Sequence, residues 1–265
     1  SGVLNLGVEG MMLMGAVTGY AVTAITGNPW LGVVAAIGAG LAMSLLFAFL
    51  TLTMLANQVA TAIERAAESL RQGDIVIAEQ VIDADERIND LQRDIDDLCV
   101  MLLARQQPVA GDLRNVLSAL RMAQTLERQG DLARHVAAIA RGRYPEPPLP
   151  EPVLGLILEM ADLAVRAGKD VARLISTRDL ELASVIQTND AELDALHRRS
   201  FQMILDPAHD LSRQQVIDAV LMGRFLERFG DHSTSVASRV AYLVSGVCFI
   251  LALRGLSSPT SSQRG

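Results

Sequence analysis

The chain of 265 residues has two cysteines, Cys99 and Cys248, and neither has a neighbour at metal-ligand spacing such as C-x-x-C. A disulfide framework and a zinc ribbon are therefore excluded, and a reducing compartment fits best. Aromatic residues make up only 4% of the chain, so Leu, Ala, Val and Ile carry the apolar load and few β-type runs arise. Basic residues are outnumbered, 23 Lys and Arg against 30 Asp and Glu, for a net charge of −7. Nucleic-acid binding normally shows as a basic face, so no nucleic-acid partner is expected. There is no Gly-rich phosphate loop, no G-x-S-x-G elbow and no Glu-x-x-His pair, and nothing nominates a nucleophile. The expectation is an all-α protein.

Charge is missing altogether from Gly10 to Ala56, a run interrupted only by the turn signal Gly27-Asn28-Pro29-Trp30. Its two apolar arms approach or reach the thickness of a bilayer, and the sequence predicts a transmembrane helical hairpin, with a buried helix pair as the alternative. No basic segment precedes it, so it is not a signal peptide. Arg65 and Arg71 follow it, which predicts a cytoplasmic body tethered to the inner face of the membrane through residues 10–56. A chain beginning at Ser1 also suggests truncation.

More than half of the proline lies in one place. Pro145, Pro147, Pro148, Pro150 and Pro152 are five of the nine prolines, and no helix tolerates such a run. It marks a linker at 145–152 between two units. The first, 61–144, is expected to hold an incomplete first helix ending at Gly73-Asp74, a helix from about Ile75 to Arg105, a turn at Gln106-Gln107-Pro108, and a helix from about Gly111 to Arg141. The second, 153–246, is expected to contain helices over Val153–Ser176, Asp179–Leu205 and Leu211–Ser245, with Asp206-Pro207 breaking the last two. Residues 1–60 form the apolar hairpin, and 247–265 an apolar extension with a disordered tail. Such an architecture is a pair of pseudo-symmetric three-helix bundles.

What the chain does have is a repeat. Leu126-Glu127-Arg128-Gln129-Gly130-Asp131 returns as Leu226-Glu227-Arg228-Phe229-Gly230-Asp231, at an offset of 226 − 126 = 100. Val116, Ala119 and Met122 match Val216, Ala219 and Met222 at the same offset, as expected when a helix face is copied with its packing surface. Upstream, Asp85 to Leu91 stands opposite Asp190 to Leu196 at an offset of 190 − 85 = 105.

Glu127 and Asp131, and again Glu227 and Asp231, lie one helical turn apart on one face, so their carboxylates can converge on one ion. Asp85 with Asn89, and Asp190 with Asp194, offer similar pairs. A cation would relieve the repulsion, and oxygen-only ligands favour hard or borderline metals such as Mg²⁺, Mn²⁺ or iron. An i, i+4 acidic pair is more often a solvated helix face, but duplication in register favours a shared role. Gly130 and Gly230 point to close helix approach, since a mid-helix Gly costs about 1 kcal/mol against Ala. His135 and His197 are possible imidazole ligands. A carboxylate metalloenzyme is one way to use such a site.

From Ala62 to Gly246 the chain resembles PhoU, the family of bacterial phosphate-signalling regulators, in its actinobacterial form. The matching stretches are Leu103-Ala104-Arg105-Gln106-Gln107-Pro108-Val109-Ala110, Asp112-Leu113-Arg114, Leu126-Glu127-Arg128 with Gly130 to Ala137, and Gly223 to Phe229 with Asp231-His232. The resemblance implies tandem three-helix bundles holding a divalent metal or multinuclear metal cluster of iron, manganese, magnesium or zinc. The implied ligands are Glu127, Asp131, Asp190, Asp194, Glu227 and Asp231, with Asp85 beside an Asn where the family has a second Asp. It further implies a non-enzymatic adaptor, often a homodimer, between the phosphate ABC transporter ATPase subunit and a sensor histidine kinase, acting as a negative regulator. Residues 3–60, with Leu4 to Gly15 and Leu52 to Val59, instead resemble the permease subunits of ABC importers for nucleosides or simple sugars. That likeness leaves a permease fragment with a helical cap as a rival reading; in a structural alternative, Leu41 to Ala60 replaces the amphipathic part of the first family helix and packs against the first bundle.

Overall fold

The computed structural model of the chain describes residues 2–106 and 111–256, with side chains for all of these except 2–9, 11, 41, 44, 45, 48, 105, 106, 111, 112 and 246–256. It is all-α, as composition and periodicity imply. Helix α1 spans Gly2–Thr26 and α2 spans Pro29–Gln72. The turn between them forms because Pro29 takes the first helical position and the Asn28 side chain accepts from the Trp30 amide at 3.0 Å, satisfying a donor the helix leaves open. Helix α2 stops at Gly73, whose φ of 66° is the left-handed region that favours glycine. Asp74 then caps α3, Ile75–Gln106, accepting from the Val76 amide at 2.8 Å.

Helix α4 covers Gly111–Arg143, α5 Val153–Thr177, α6 Leu180–Leu205 and α7 Arg213–Leu256. A single 3-10 turn, Pro207–His209, sits where Asp206-Pro207 breaks the helical pattern. The turn expected at Gln107-Pro108 and the tail expected after Ser257 lie outside the described residues.

Helices α2, α3 and α4 pack pairwise, and so do α5, α6 and α7; α2 lies on α5 and α4 on α7, joining the two triads. The core is continuous across the junction. Leu55, Ile63 and Leu70 of α2, Ile88 and Ile95 of α3, Leu126 of α4, Ile157 and Met160 of α5, and Phe229 of α7 are fully buried. Each such side chain contributes about 1.5–3 kcal/mol of burial free energy. At the centre Gln129 of α4, 0% exposed, donates to the Phe229 carbonyl at 3.0 Å and the Ser233 hydroxyl at 2.8 Å. Near the end of α4, Arg143 clasps Asp218 of α7 through Nε at 2.6 Å and Nη2 at 3.2 Å.

The front of the chain differs from the transmembrane hairpin expected above. Among the described residues, no helix is long and apolar enough to cross a membrane. Two physical reasons are visible. Gly and Thr dilute α1, and they serve to bring its backbone against α2: a Cβ at Gly32 would overlap the Thr23 hydroxyl and lie 2.7 Å from the Gly19 carbonyl oxygen. Helix α2 continues unbroken for 44 residues, and its Leu52, Leu55, Ala56 and Val59 are spent on the protein core. The change of composition near residue 57 therefore falls inside a helix. Phe47 and Phe49 pack partly against the core, whereas Leu50 stays exposed.

Candidate functional site

The second acidic motif sits where α6 packs on α7. Gly230 is what lets them approach, because a Cβ there would lie 2.6 Å from Asp190 Oδ1 and 2.7 Å from Leu193 Cδ2. Asp190 is thereby held against the α7 backbone, in the fields of Asp194, Asp231 and Glu227. Burial pushes its carboxyl from the usual 3.8 up to about 6, and those three neighbouring carboxylates push in the same direction. Four carboxylates share one region, and among the described residues no Arg, Lys or His forms an ion pair with Asp190. Glu227 does have a local partner, accepting from Arg224 Nη1 at 2.8 and 2.7 Å. Farther along the same helix pair, His197 rests against Gly223 and stacks on Phe201 with ring centroids 5.0 Å apart, its buried Nε2 without a hydrogen-bond partner.

The first motif is built alike and neutralised differently. Gly130 of α4 receives Ile88 of α3, whose side chain would stand 3.0 Å from a Cβ, as Gly230 receives Leu193. Asp85 Oδ2 is approached by Arg134 Nε at 3.2 Å and by Asn89 Nδ2 at 3.3 Å, while Arg134 Nη2 donates to Asp131 Oδ1 at 3.1 Å. The Nε contact is an ion pair without an aligned hydrogen bond, since Arg134 Nε and Asp85 Oδ1 are both buried and unpartnered. Burial still raises the Asp85 carboxyl, although Arg134 pulls it back. Burial also raises Glu127, reinforced by Asp131 and Asp85. His135, beside Arg134, stacks on Phe225 with centroids 5.0 Å apart.

The two copies therefore differ at one decisive position. Arg134 of the first copy corresponds at the repeat offset, 134 + 100 = 234, to Thr234. The Thr234 hydroxyl donates to the Asp231 carbonyl at 2.8 Å and brings no charge. Sequence reasoning did not assign Arg134 a role, although the Asp131-x-x-Arg134 spacing signals a possible i, i+3 pair.

All seven residues nominated from the sequence occupy these two helix interfaces: Glu127, Asp131 and Asp85 at the first, and Glu227, Asp231, Asp190 and Asp194 at the second. Each set shares an electric field without closing on a common point, for among the described residues no three His, Cys, Asp or Glu side chains form a group that could hold a metal ion. The donor chemistry of the second set, crowded carboxylates with a raised Asp190, fits a hard or borderline cation. At the first set Arg134 already supplies positive charge.

A family model described as the PhoU domain matches residues 52–140 and 157–240, one copy for each triad. A phosphate-specific transport system accessory protein, PhoU homolog 2 of Mycobacterium tuberculosis, is 42% identical over 185 residues, covering 70% of this chain and 87% of the relative. PhoU homolog 1 of Mycobacterium leprae is 40% identical, covering 70% and 83%. The crystal structure of PhoU from Pseudomonas aeruginosa superposes with a TM-score of 0.68 at 28% identity, over 77% of this chain and 98% of that one. The first match begins at residue 52, inside the segment likened above to a permease, so residues 52–60 go with the first bundle.

Proposed function

This chain belongs to the PhoU domain family, and from that premise we propose that it is a metal-binding adaptor between the phosphate ABC transporter's ATPase subunit and a sensor histidine kinase. Members of the family are accessory and regulatory proteins of phosphate transport, not enzymes, so a metalloenzyme or a permease fragment is set aside. The adaptor represses the phosphate-starvation response when phosphate is plentiful, and it works on the cytoplasmic side.

One observation carries the metal reading: Asp190 is held against α7 amid three further carboxylates, with its own carboxyl pushed up to about 6. A divalent cation bound by Asp190, Asp194, Glu227 and Asp231 would return that group to its charged form and draw α6 and α7 together. Asp85, Glu127 and Asp131 would hold a second ion less readily, because Arg134 competes for Asp85 and Asp131. Oxygen donors of this kind suit manganese, iron, magnesium or zinc.

The chain would meet a second copy of itself or the membrane surface at the charge-free arm of residues 10–50 in α1 and the front of α2. Val17, Tyr20, Ile25, Trp30 and Val34 are exposed there, and exposed apolar side chains gathered on one arm suit an interaction site. The experiment is to load the full chain with Mn²⁺, Fe²⁺ or Zn²⁺, measure bound metal by mass spectrometry, and test co-purification with the ATPase subunit and the kinase. Absence of metal together with absence of both partners would sink the reading.

A further inference from the structure

We propose that the groove between α4 and α7, on the arginine-bearing side of this helix pair, is a binding site for a small phosphate-bearing anion. The two helices are antiparallel, as the Gln129 bonds to Phe229 and Ser233 and the Arg143 clasp on Asp218 require. One stripe of α4 carries Ser118, Arg121 and Arg128; the facing stripe of α7 carries His232, Ser235 and Arg239. These side chains line two adjoining clefts of about 400 and 320 Å³ that share Arg121, Ser235 and Arg239. The space accommodates an inorganic phosphate ion or the phosphoryl end of a nucleotide.

Charge is the first reason. No carboxylate is among the residues lining either cleft, in a chain whose net charge is −7. Among the described residues, neither Arg121, Arg128 nor Arg239 takes part in an ion pair. Three guanidinium groups that line one groove without a paired carboxylate repel, and an oxyanion reduces that repulsion while matching their planar forks. Arg239 adds a second observation: its Nε is buried and has no hydrogen-bond partner. A buried charged donor left unmade is costly, and an anion oxygen would satisfy it.

The hydroxyls and the imidazole select phosphate among oxyanions. Near neutral pH, phosphate carries a proton and must donate as well as accept. A serine hydroxyl can do either. The His232 imidazole lines the same cleft beside Ser235 and adds a ring nitrogen to the polar groups there. Sulfate, fully deprotonated, cannot use such acceptors.

The inference deepens the accessory-protein reading and rests on it only in placing phosphate sensing within one chain; the groove itself stands on its own geometry. The test titrates the full chain with inorganic phosphate, ATP and sulfate by calorimetry, and repeats this with Arg121→Gln/Arg239→Gln and with the single variant Arg128→Gln. Saturable phosphate binding that weakens by about tenfold or more in each variant, as expected for lost charge-assisted bonds, with the melting temperature retained, supports the site. ATP binding where phosphate alone fails, lost in the variants, assigns the phosphoryl group of a nucleotide as the source. No saturable binding of phosphate or ATP at millimolar concentration overturns the proposal, as does binding indifferent to all three arginines, or sulfate bound as tightly as phosphate. Metal loading and partner capture are read on the same samples: if they fail while groove binding persists, the adaptor reading falls and this one stands.

Discussion

Replacing Asp190 with Asn tests the acidic site through stability, before any metal is added. In the folded chain the Asp190 carboxyl is raised from 3.8 to about 6, so between those values the folded state binds more protons than the unfolded state. Stability then falls as pH rises through that window, and above it the whole penalty is present. At about 1.4 kcal/mol per pH unit the rise corresponds to roughly 3 kcal/mol. Asp190 is half-buried, and solvent screening reduces this to about 1–2 kcal/mol. Asn has the same shape and carries no charge. The metal-free Asp190→Asn protein should therefore be more stable near pH 7.5 by that amount, raising the melting temperature by about 2–8 °C. The gain should shrink as pH drops toward about 4, where the Asp is itself neutral. Calorimetry or circular dichroism of chelator-treated protein across this range provides the measurement. The same substitution should weaken metal binding, because it removes a charged donor, so stability and metal affinity move in opposite directions. A variant no more stable than the parent at neutral pH would refute the claim that Asp190 is crowded by its neighbouring carboxylates without a cationic partner of its own.

Further outcomes follow from the same geometry. Gly230→Ala should destabilise the chain by about 1–3 kcal/mol, since its Cβ would meet Asp190 and the buried Leu193 and overpacking is costly; denaturant unfolding measures this, and Gly130→Ala, facing Ile88 at 3.0 Å, should cost less. Arg134→Gln frees Asp85 and Asp131 from their internal cation, so metal bound per chain should rise at the first site, as read by mass spectrometry. Gln129→Ala removes the bond across the centre and leaves a cavity, an expected loss of about 1–3 kcal/mol by denaturant titration.

The helices were legible from the sequence because their punctuation is local. Gly73-Asp74, the proline cluster and Asp206-Pro207 each act through the φ of one residue or a missing amide, and the structure turns at all three. The acidic residues were legible because duplication kept them in register. Arg134 was not: the same Asp-x-x-Arg spacing recurs at Asp90 and Arg93 as an exposed pair, and only the packing of α3 on α4 turns one of them into a counter-ion. The hairpin was misjudged because the lack of charge from Gly10 to Ala56 measures what a segment avoids, not what covers it. From Leu52 onward the apolar residues of α2 pack in the core beside α3, α4 and α5 instead of lipid. Net charge is equally silent about local patches. A chain carrying −7 overall still gathers three arginines in one groove, because a sum over the chain is blind to which residues two antiparallel helices place opposite each other.

The arginine groove shares α4 with the first acidic interface and α7 with the second. On α4, Glu127 looks toward α3 while Arg128, the next residue, lines the groove shared with α7; on α7, Asp231 acts on Asp190 while His232 lines the same groove. A cation that drew α6 toward α7 would shift the helix that carries Ser235 and Arg239, and an anion clamped by Arg121 and Arg239 would fix the spacing of α4 and α7. Coupling of this kind is reciprocal: if metal tightens phosphate binding by some factor, phosphate must tighten metal binding by the same factor. Gln129 is the rigid element between them, buried and bonded to the α7 backbone and to Ser233. Any transmission between the acidic interfaces and the arginine groove passes through that contact or around it. Gln129→Leu, which keeps the volume and removes both bonds, should therefore leave each ligand's own affinity nearly unchanged while altering the factor by which one changes the other. Calorimetric titration of phosphate with and without saturating Mn²⁺, in the parent and in this variant, measures that factor directly, and an identical factor in both would show that the two sites communicate by another route.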